Sequence, residues 1–296
     1  MNRHYLMIMA AASLWGSIGI FIKNLTAAGF SPMQLVTFRT LISMTLIFLF
    51  LLWKAPEKLK IRWRDSWMFI GTGLFSFVFF NYFYFVSVQR NGLSVASVLL
   101  YTAPVFVFLL SVLLFRERVS PQKVITLILA VIGCLLVSGA LEKDTGMLDL
   151  FGILAGVLSG LGYGLYSIFG KFALARYDTV TITFYTFLFG TLGAFPLAGM
   201  GQAPGLIDSF SVLANILILA ILITILPFTL YTLGLAGTEP SKASVLATVE
   251  PLVATFFGLL LYQESLGLMK VLGILAVIGA ALIINLQPAE RRLDHA

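Results

Sequence analysis

The sequence predicts an all-α membrane protein of ten transmembrane helices, arranged as two inverted five-helix repeats. Three observations carry the prediction. The chain of 296 residues is 59% hydrophobic and only 11% charged; soluble domains carry about 25% charged residues, and no soluble core of this length buries so much apolar surface. Ten apolar stretches follow one another with short connections, each near the roughly 20 residues that a spanning helix needs. The chain also repeats itself: residues 94–117 and 241–264 lie 147 positions apart and share nine of 24 residues, among them Pro104/Pro251 and Glu117/Glu264.

Taken in order, the predicted helices cover 5–22, 33–53, 66–88, 93–115, 121–140, 148–170, 180–200, 212–235, 241–262 and 267–286. The first lacks a small-residue cleavage site and has a repeat partner in mid-chain, so it is expected to stay in the membrane and not be cut as a signal. The second follows the Ser31-Pro32 turn, carries Arg39 and ends at the longest connection, the basic segment 54–65. Asn91-Gly92 separates the third from the fourth, and Ser120-Pro121 opens the fifth. Cys134, the single cysteine, lies in an apolar run, so there is no disulfide framework. The sixth helix has Gly152, Gly156, Gly160 and Gly164 at a spacing of four, a groove for close helix packing. Pro227 in the eighth, Pro251 in the ninth and Pro104 in the fourth each free a backbone carbonyl and kink a helix.

The repeat extends through the chain. Tyr84 falls on Tyr231; a shift of 148 places Trp15, Gly16 and Lys23 on Tyr163, Gly164 and Lys171; Lys123 matches Lys270. The domains are therefore 1–141 and 142–296, one repeat each. Five is odd, so the two copies insert with opposite topology, a device of secondary transporters that gives one chain two near-equivalent conformations around a midplane site. With the N-terminus in the cytoplasm, fourteen Lys and Arg fall in cytoplasmic segments and four (Lys23, Arg90, Lys143, Lys270) outside. This bias puts both termini in the cytoplasm and accounts for the net charge of +6 by loops facing anionic lipid, not by nucleic acid.

The motifs Ala103-Pro104-Val105…Phe115-Arg116-Glu117-Arg118 and Glu250-Pro251-Leu252…Tyr262-Gln263-Glu264, with Arg39 early in the second helix, resemble the EamA branch of the drug/metabolite transporter superfamily over residues 5 to 287. The resemblance implies the ten-helix two-repeat fold and transport of amino acids, amines, cofactors or other metabolites, mostly export, by proton coupling or exchange. The chain departs from the family pattern at Ala103, where the first repeat lacks a carboxylate beside its proline.

Glu250 is the one acidic group expected at mid-membrane, about 14 Å deep at 1.5 Å per helical residue. Such a carboxylate costs several kcal/mol if ionised and unpaired, so it must face a cavity or be protonated. Two readings stay open: a site for a coupling proton or a substrate cation, or a protonated partner of a neighbouring helix at the Pro251 kink. Arg39 is either a possible anchor for a substrate carboxylate, or a side chain that snorkels to the surface or ties helices through backbone carbonyls. Trp15, Tyr82, Tyr84, Tyr101, Tyr163, Tyr166 and Tyr231 lie near mid-depth, where each either packs or lines a wet cavity; Asn81, one turn before Tyr84, is a further polar candidate. Glu117 and Glu264 read as local partners at helix ends.

No catalytic set appears: His4 and His295 sit at the termini, and there is no metal-ligand spacing and no phosphate-binding Gly-Lys loop. The expected function is secondary transport, without enzyme activity, metal or cofactor. The substrate-binding set is Trp15, Asn81, Tyr84, Tyr101, Tyr163, Tyr166, Tyr231 and Glu250, and the implied partners are a small-molecule substrate and membrane lipid. Export of an amino acid or related compound across a bacterial inner membrane is the first expectation. Uptake or exchange of an organic cation, which aromatic faces and one carboxylate suit, is the second. A structural or assembly protein of the membrane is the reading from another class.

Overall fold

A computed structural model describes residues 2–138, 148–263 and 267–285. Among these residues the chain is helical with no strand: α1 (Arg3–Gly16), α2 (Ile18–Ala27), α3 (Pro32–Lys54), α4 (Ser66–Ile70), α5 (Phe79–Leu100), α6 (Ala103–Phe115), α7 (Pro121–Val137), α8 (Leu150–Leu174), α9 (Thr179–Ala194), α10 (Phe210–Ala220), α11 (Leu226–Ala236), α12 (Pro240–Ala247), α13 (Val249–Tyr262) and α14 (Leu268–Asn285). Seven continuous stretches are long and apolar enough to cross a bilayer, and Ala103–Phe115, Pro121–Val137 and Leu268–Ile284 are shorter apolar helices. The outward faces carry exposed leucine and phenylalanine, such as Phe50, Leu109, Leu113, Leu260 and Leu282, while backbone groups are bonded within helices, as hydrocarbon requires. This is a multi-pass membrane protein.

Local chemistry sets where helices start and break. Ser31 caps α3 reciprocally with Gln34, and Pro32 takes the first-turn position that needs no donor. Ser120, Asp149 and Asp178 cap α7, α8 and α9 with their side-chain oxygens. Gly92, at φ 80°, interrupts the 38-residue stretch Trp63–Leu100. That positive φ suits glycine. A proline lacks its N–H and clashes with the carbonyl four residues back. Accordingly α5 ends at Leu100, four before Pro104, and α12 ends at Ala247, four before Pro251. Before Pro227 the chain widens into a π-helical turn at Ile221–Ile225, and a second π-helical segment, Gly71–Val78, joins α4 to α5. Residues 74–78 lie 147 positions before that turn. Arg116 and Gln263, also 147 apart, both end their helices in the left-handed conformation, at φ 53° and 52°. The first predicted helix is likewise two: α1 and α2 part at Gly16-Ser17, a Gly/Ser pair of the kind that bends helices.

The bundle has two ends. At one, the segment after α3 is bound to the start of α9: the buried Asp65 accepts from Arg176 and, at 2.7 Å, from Tyr177 Oη, and Lys58 pairs with Asp178 at 3.0 Å. The same end joins α7 to α12 through a buried ion cluster. Lys123 Nζ lies 3.4 Å from Glu117 and 3.1 Å from Glu239, Lys242 Nζ lies 2.9 Å from Glu239, and Ser241 donates to Glu117 through both its hydroxyl and its N–H. At the opposite end Asn91 and Arg90 bind Asp149, and Gln34 donates to the Gly199 carbonyl. Glu264, expected as a local partner, lies outside the described residues.

Candidate functional site

The two proline breaks meet at the centre. Glu250 sits in the first turn of α13 because α12 stops before Thr248. The chain kinks there, as the proline in the sequence leads one to expect: α12 and α13 part at Thr248, which itself keeps a near-helical conformation at φ −67° and ψ 0°. Only glycine lets α1 cross at this point. A Cβ on Gly16 would stand 2.6 Å from the Glu250 carbonyl oxygen and 2.7 Å from Val253. The repeat partner of this crossing holds too: a Cβ on Gly164 of α8 would meet Val107 at 2.9 Å and the Ala103 carbonyl at 3.3 Å. Each repeat thus lays its first long helix against the broken helix of the other.

Beside Glu250 lies a cavity of about 160 Å³. All nine candidate side chains line it: Trp15, Arg39, Asn81, Tyr84, Tyr101, Tyr163, Tyr166, Tyr231 and Glu250. Tyr82 does not; it is 41% exposed and faces away from the bundle. Tyr163 Oη donates to Glu250 Oε2 at 2.8 Å. Three more hydroxyls are held by small polar partners: Tyr84 by Ser97 at 3.1 Å, Tyr166 by Thr232 at 2.6 Å and Tyr231 by Ser167 at 2.6 Å. Trp15 packs against Tyr163, Phe228 and Tyr231, with ring centroids 6.2, 5.1 and 5.4 Å apart. Tyr163, Tyr166 and Tyr231 are therefore each fixed by a hydrogen bond at the hydroxyl and by edge-to-face or tilted ring contacts. Among the described residues Glu250 is the one acidic side chain in the lining, and no group of His, Cys, Asp and Glu is arranged to hold a metal.

The wall also contains residues that sequence reasoning did not single out. Phe228 touches Trp15, Phe77, Tyr166 and Phe187, and joins Ile18, Ile22, Phe80, Ser76 and Ser167 around the space. Two signals point to them. Phe77, Phe80, Asn81 and Tyr84 fall at i, i+3, i+4 and i+7, one helix face, and Phe228 is the repeat partner of Asn81, 147 positions on.

Towards the end that holds the ion cluster the cavity wall carries the Tyr166–Thr232 and Tyr231–Ser167 bonds, and one turn further along α8 Lys171 Nζ donates to the Leu235 and Thr238 carbonyls at 3.0 and 2.8 Å. Outside the apolar span Glu239 anchors the cluster. Burial pushes its carboxyl up, but the hydrogen bond from Lys242 and the charges of Lys123 and Lys242 outweigh this and hold it below the ordinary value of 4.5.

Proline-kinked helices around a central cavity, apolar but for a few polar side chains, in a multi-pass bundle are the arrangement of a membrane transporter. The comparisons place it further. The model of the EamA-like transporter family matches residues 2–139 and again 150–286. The chain belongs to that family, in two copies, within the drug/metabolite transporters. An uncharacterized transporter of Archaeoglobus fulgidus is 30% identical over 277 residues, 93% of this chain and 94% of the relative. The threonine/homoserine exporter RhtA of Salmonella typhimurium is 28% identical over 218 residues, 72% of this chain and 71% of that one. A solved crystal structure, 19% identical, superimposes with a TM-score of 0.77 over 95% of both chains and shares the fold.

Proposed function

We propose that the protein is a secondary transporter that exports a small metabolite, an amino acid or related compound, across the cell membrane, with Glu250 taking the coupling proton or the cationic part of the substrate. The observation that carries this reading is the Glu250 carboxylate: among the described residues alone of its sign in the cavity lining, set at the kink between α12 and α13 and held by one neutral donor, Tyr163. Such a group takes a proton or a cation without breaking an internal ion pair. The size of the cavity suits a small molecule, since about 150 Å³ holds benzene. The name of the RhtA relative supports an amino acid. The aromatic lining supports an ammonium group, as an organic cation or as part of an amino acid.

In this reading the chain crosses the membrane ten times. The segment after Gly92 and α6 together make the fourth crossing, α7 the fifth and α14 the tenth, and the two repeats are inverted. Both termini are cytoplasmic, so the Lys123–Glu239–Lys242 cluster lies on the cytoplasmic side. Flux measured in proteoliposomes with the twenty common amino acids and small amines, with and without a pH gradient, tests the function. Protein-dependent, gradient-sensitive movement of at least one compound is expected; no movement of any would contradict it.

A further inference from the structure

Arg39 is a cation that the protein leaves unneutralised. It is 5% exposed. Its guanidinium lies over the Phe77 ring, 4.6 Å from the centroid, and reaches Asn81 Oδ1 at 3.5 Å, long for a hydrogen bond. Among the described residues no carboxylate pairs with it, and its buried Nε has no hydrogen-bond partner. The neighbouring hydroxyls are engaged: Thr37 and Thr40 donate to the Met33 and Val36 carbonyls of their own helix. Asn81 donates its amide to the Phe77 carbonyl at 2.7 Å, which turns its oxygen towards Arg39. The contacts with Asn81 and Phe77 leave the charge itself without a counter-ion among the described residues. The side chain does not reach the surface, and it bonds no backbone carbonyl among the described residues. A buried charge left in this condition is expensive, and the guanidinium fork is the group best shaped for a planar carboxylate.

We infer that Arg39 docks the carboxylate of the transported molecule, and that the substrate class is a small zwitterion with a compact apolar side chain. Its carboxylate meets Arg39, its ammonium meets Glu250, and its side chain lies against Ile18, Ile22, Phe77 and Phe228, all walls of the same cavity. One group of each sign and an apolar wall thus face the same cavity. The inference rests on the reading of this cavity as the transport site, and adds to it the anionic half of the substrate.

The test compares acids with amides. Binding of the twenty common L-amino acids, and of the carboxamide of each that binds, is measured on the purified full chain. At least one amino acid is expected to bind, and its amide at least tenfold more weakly. Arg39→Gln should bind acid and amide alike, and Arg39→Lys should keep part of the discrimination. Without ligand Arg39→Gln should melt at or above the wild type, since it removes an uncompensated charge. Failure of every amino acid to bind, or equal binding of acid and amide by the wild type, would overturn the proposal. So would Arg39-dependent binding of chloride without acid/amide discrimination, which would assign the site to an inorganic anion. An Arg39→Gln protein that melts far lower yet still discriminates would make the residue a helix tie. Should that variant fail to fold, the wild-type comparison decides alone. If amides bind and move as well as acids while flux still depends on Glu250, this inference fails and the transport reading stands.

Discussion

At the scale of single residues the site depends on one close approach and one hydrogen bond. Gly16 lets α1 lie against the turn that carries Glu250, and an added Cβ would stand 2.6 Å from a backbone oxygen that cannot move aside. Gly16→Ala should therefore destabilise the protein by about 1–3 kcal/mol, the range for overpacking. Gly19→Ala, where a Cβ meets nothing within 4 Å, should change stability by no more than about 0.5 kcal/mol. Melting of the two variants in one detergent checks this; equal melting temperatures would contradict the packing account. Tyr163→Phe removes the donor to Glu250 and should weaken binding of an ammonium-bearing substrate while the edge-to-face contact with Trp15 keeps the fold. Much of this is legible in the sequence. Polar or amphipathic side chains in apolar runs are conspicuous, which is why Glu250, Arg39, Asn81 and the tyrosines stand out. Phe228, Phe77 and Phe80 are not, because in a chain with 26 phenylalanines most of them serve lipid or core equally well. The isolation of Arg39 is not legible either, since absence of a partner is a property of three-dimensional packing.

At the scale of elements the working parts are the broken helices and the ion cluster that closes one end. Proline marks where the helices give way, and the kink it predicts before Glu250 falls at Thr248, where α12 and α13 part. The cluster joins Glu117 and Lys123 of one repeat to Glu239, Ser241 and Lys242 of the other. Lys123→Gln leaves Glu117 without its cation and Glu239 with one of its two, and should loosen the closure. A cysteine at Ser167, now bonded to Tyr231, should then label from the cytoplasmic side faster than in the parent; unchanged labelling would show that the cluster does not hold the closure. Acid should act in the same direction. Because the folded Glu239 carboxyl sits below its ordinary value of 4.5, its contribution is present above that value and lost as pH falls further through the folded value. Ser167→Cys labelling should rise in that acidic window, and less so in Glu239→Gln.

At the scale of the whole molecule the sequence pattern and the structure agree on an internal repeat of 147 residues, written in backbone as well as in side chains. The left-handed caps at Arg116 and Gln263 and the π-helical turns keep that spacing, and the paired glycine crossings at Gly16 and Gly164 lie 148 apart. Helix number is less legible, because the third and fourth expected helices run together as one long stretch interrupted only at Gly92, and three of the apolar helices are short. Topology is checked by labelling: cysteines at Asn91 and Gln202 should react from outside intact cells and one at Lys60 should not, and reaction at Lys60 would reject the ten-crossing arrangement with a cytoplasmic N-terminus. The repeat is not symmetric where it matters most, since Ala103 stands where the second copy has Glu250. The central claim, that this one carboxylate couples the substrate to the cycle, is tested most directly by Glu250→Gln in proteoliposomes. The substitution keeps shape and hydrogen bonding and fixes the group as neutral. The variant should fold and lose flux driven by a pH gradient. If the carboxylate instead holds the ammonium, affinity should fall by about 1.5–3 kcal/mol, the worth of a charge-assisted contact. A Glu250→Gln protein that transports with the wild-type rate, affinity and pH profile would contradict the account and leave the residue a structural partner at the Pro251 break.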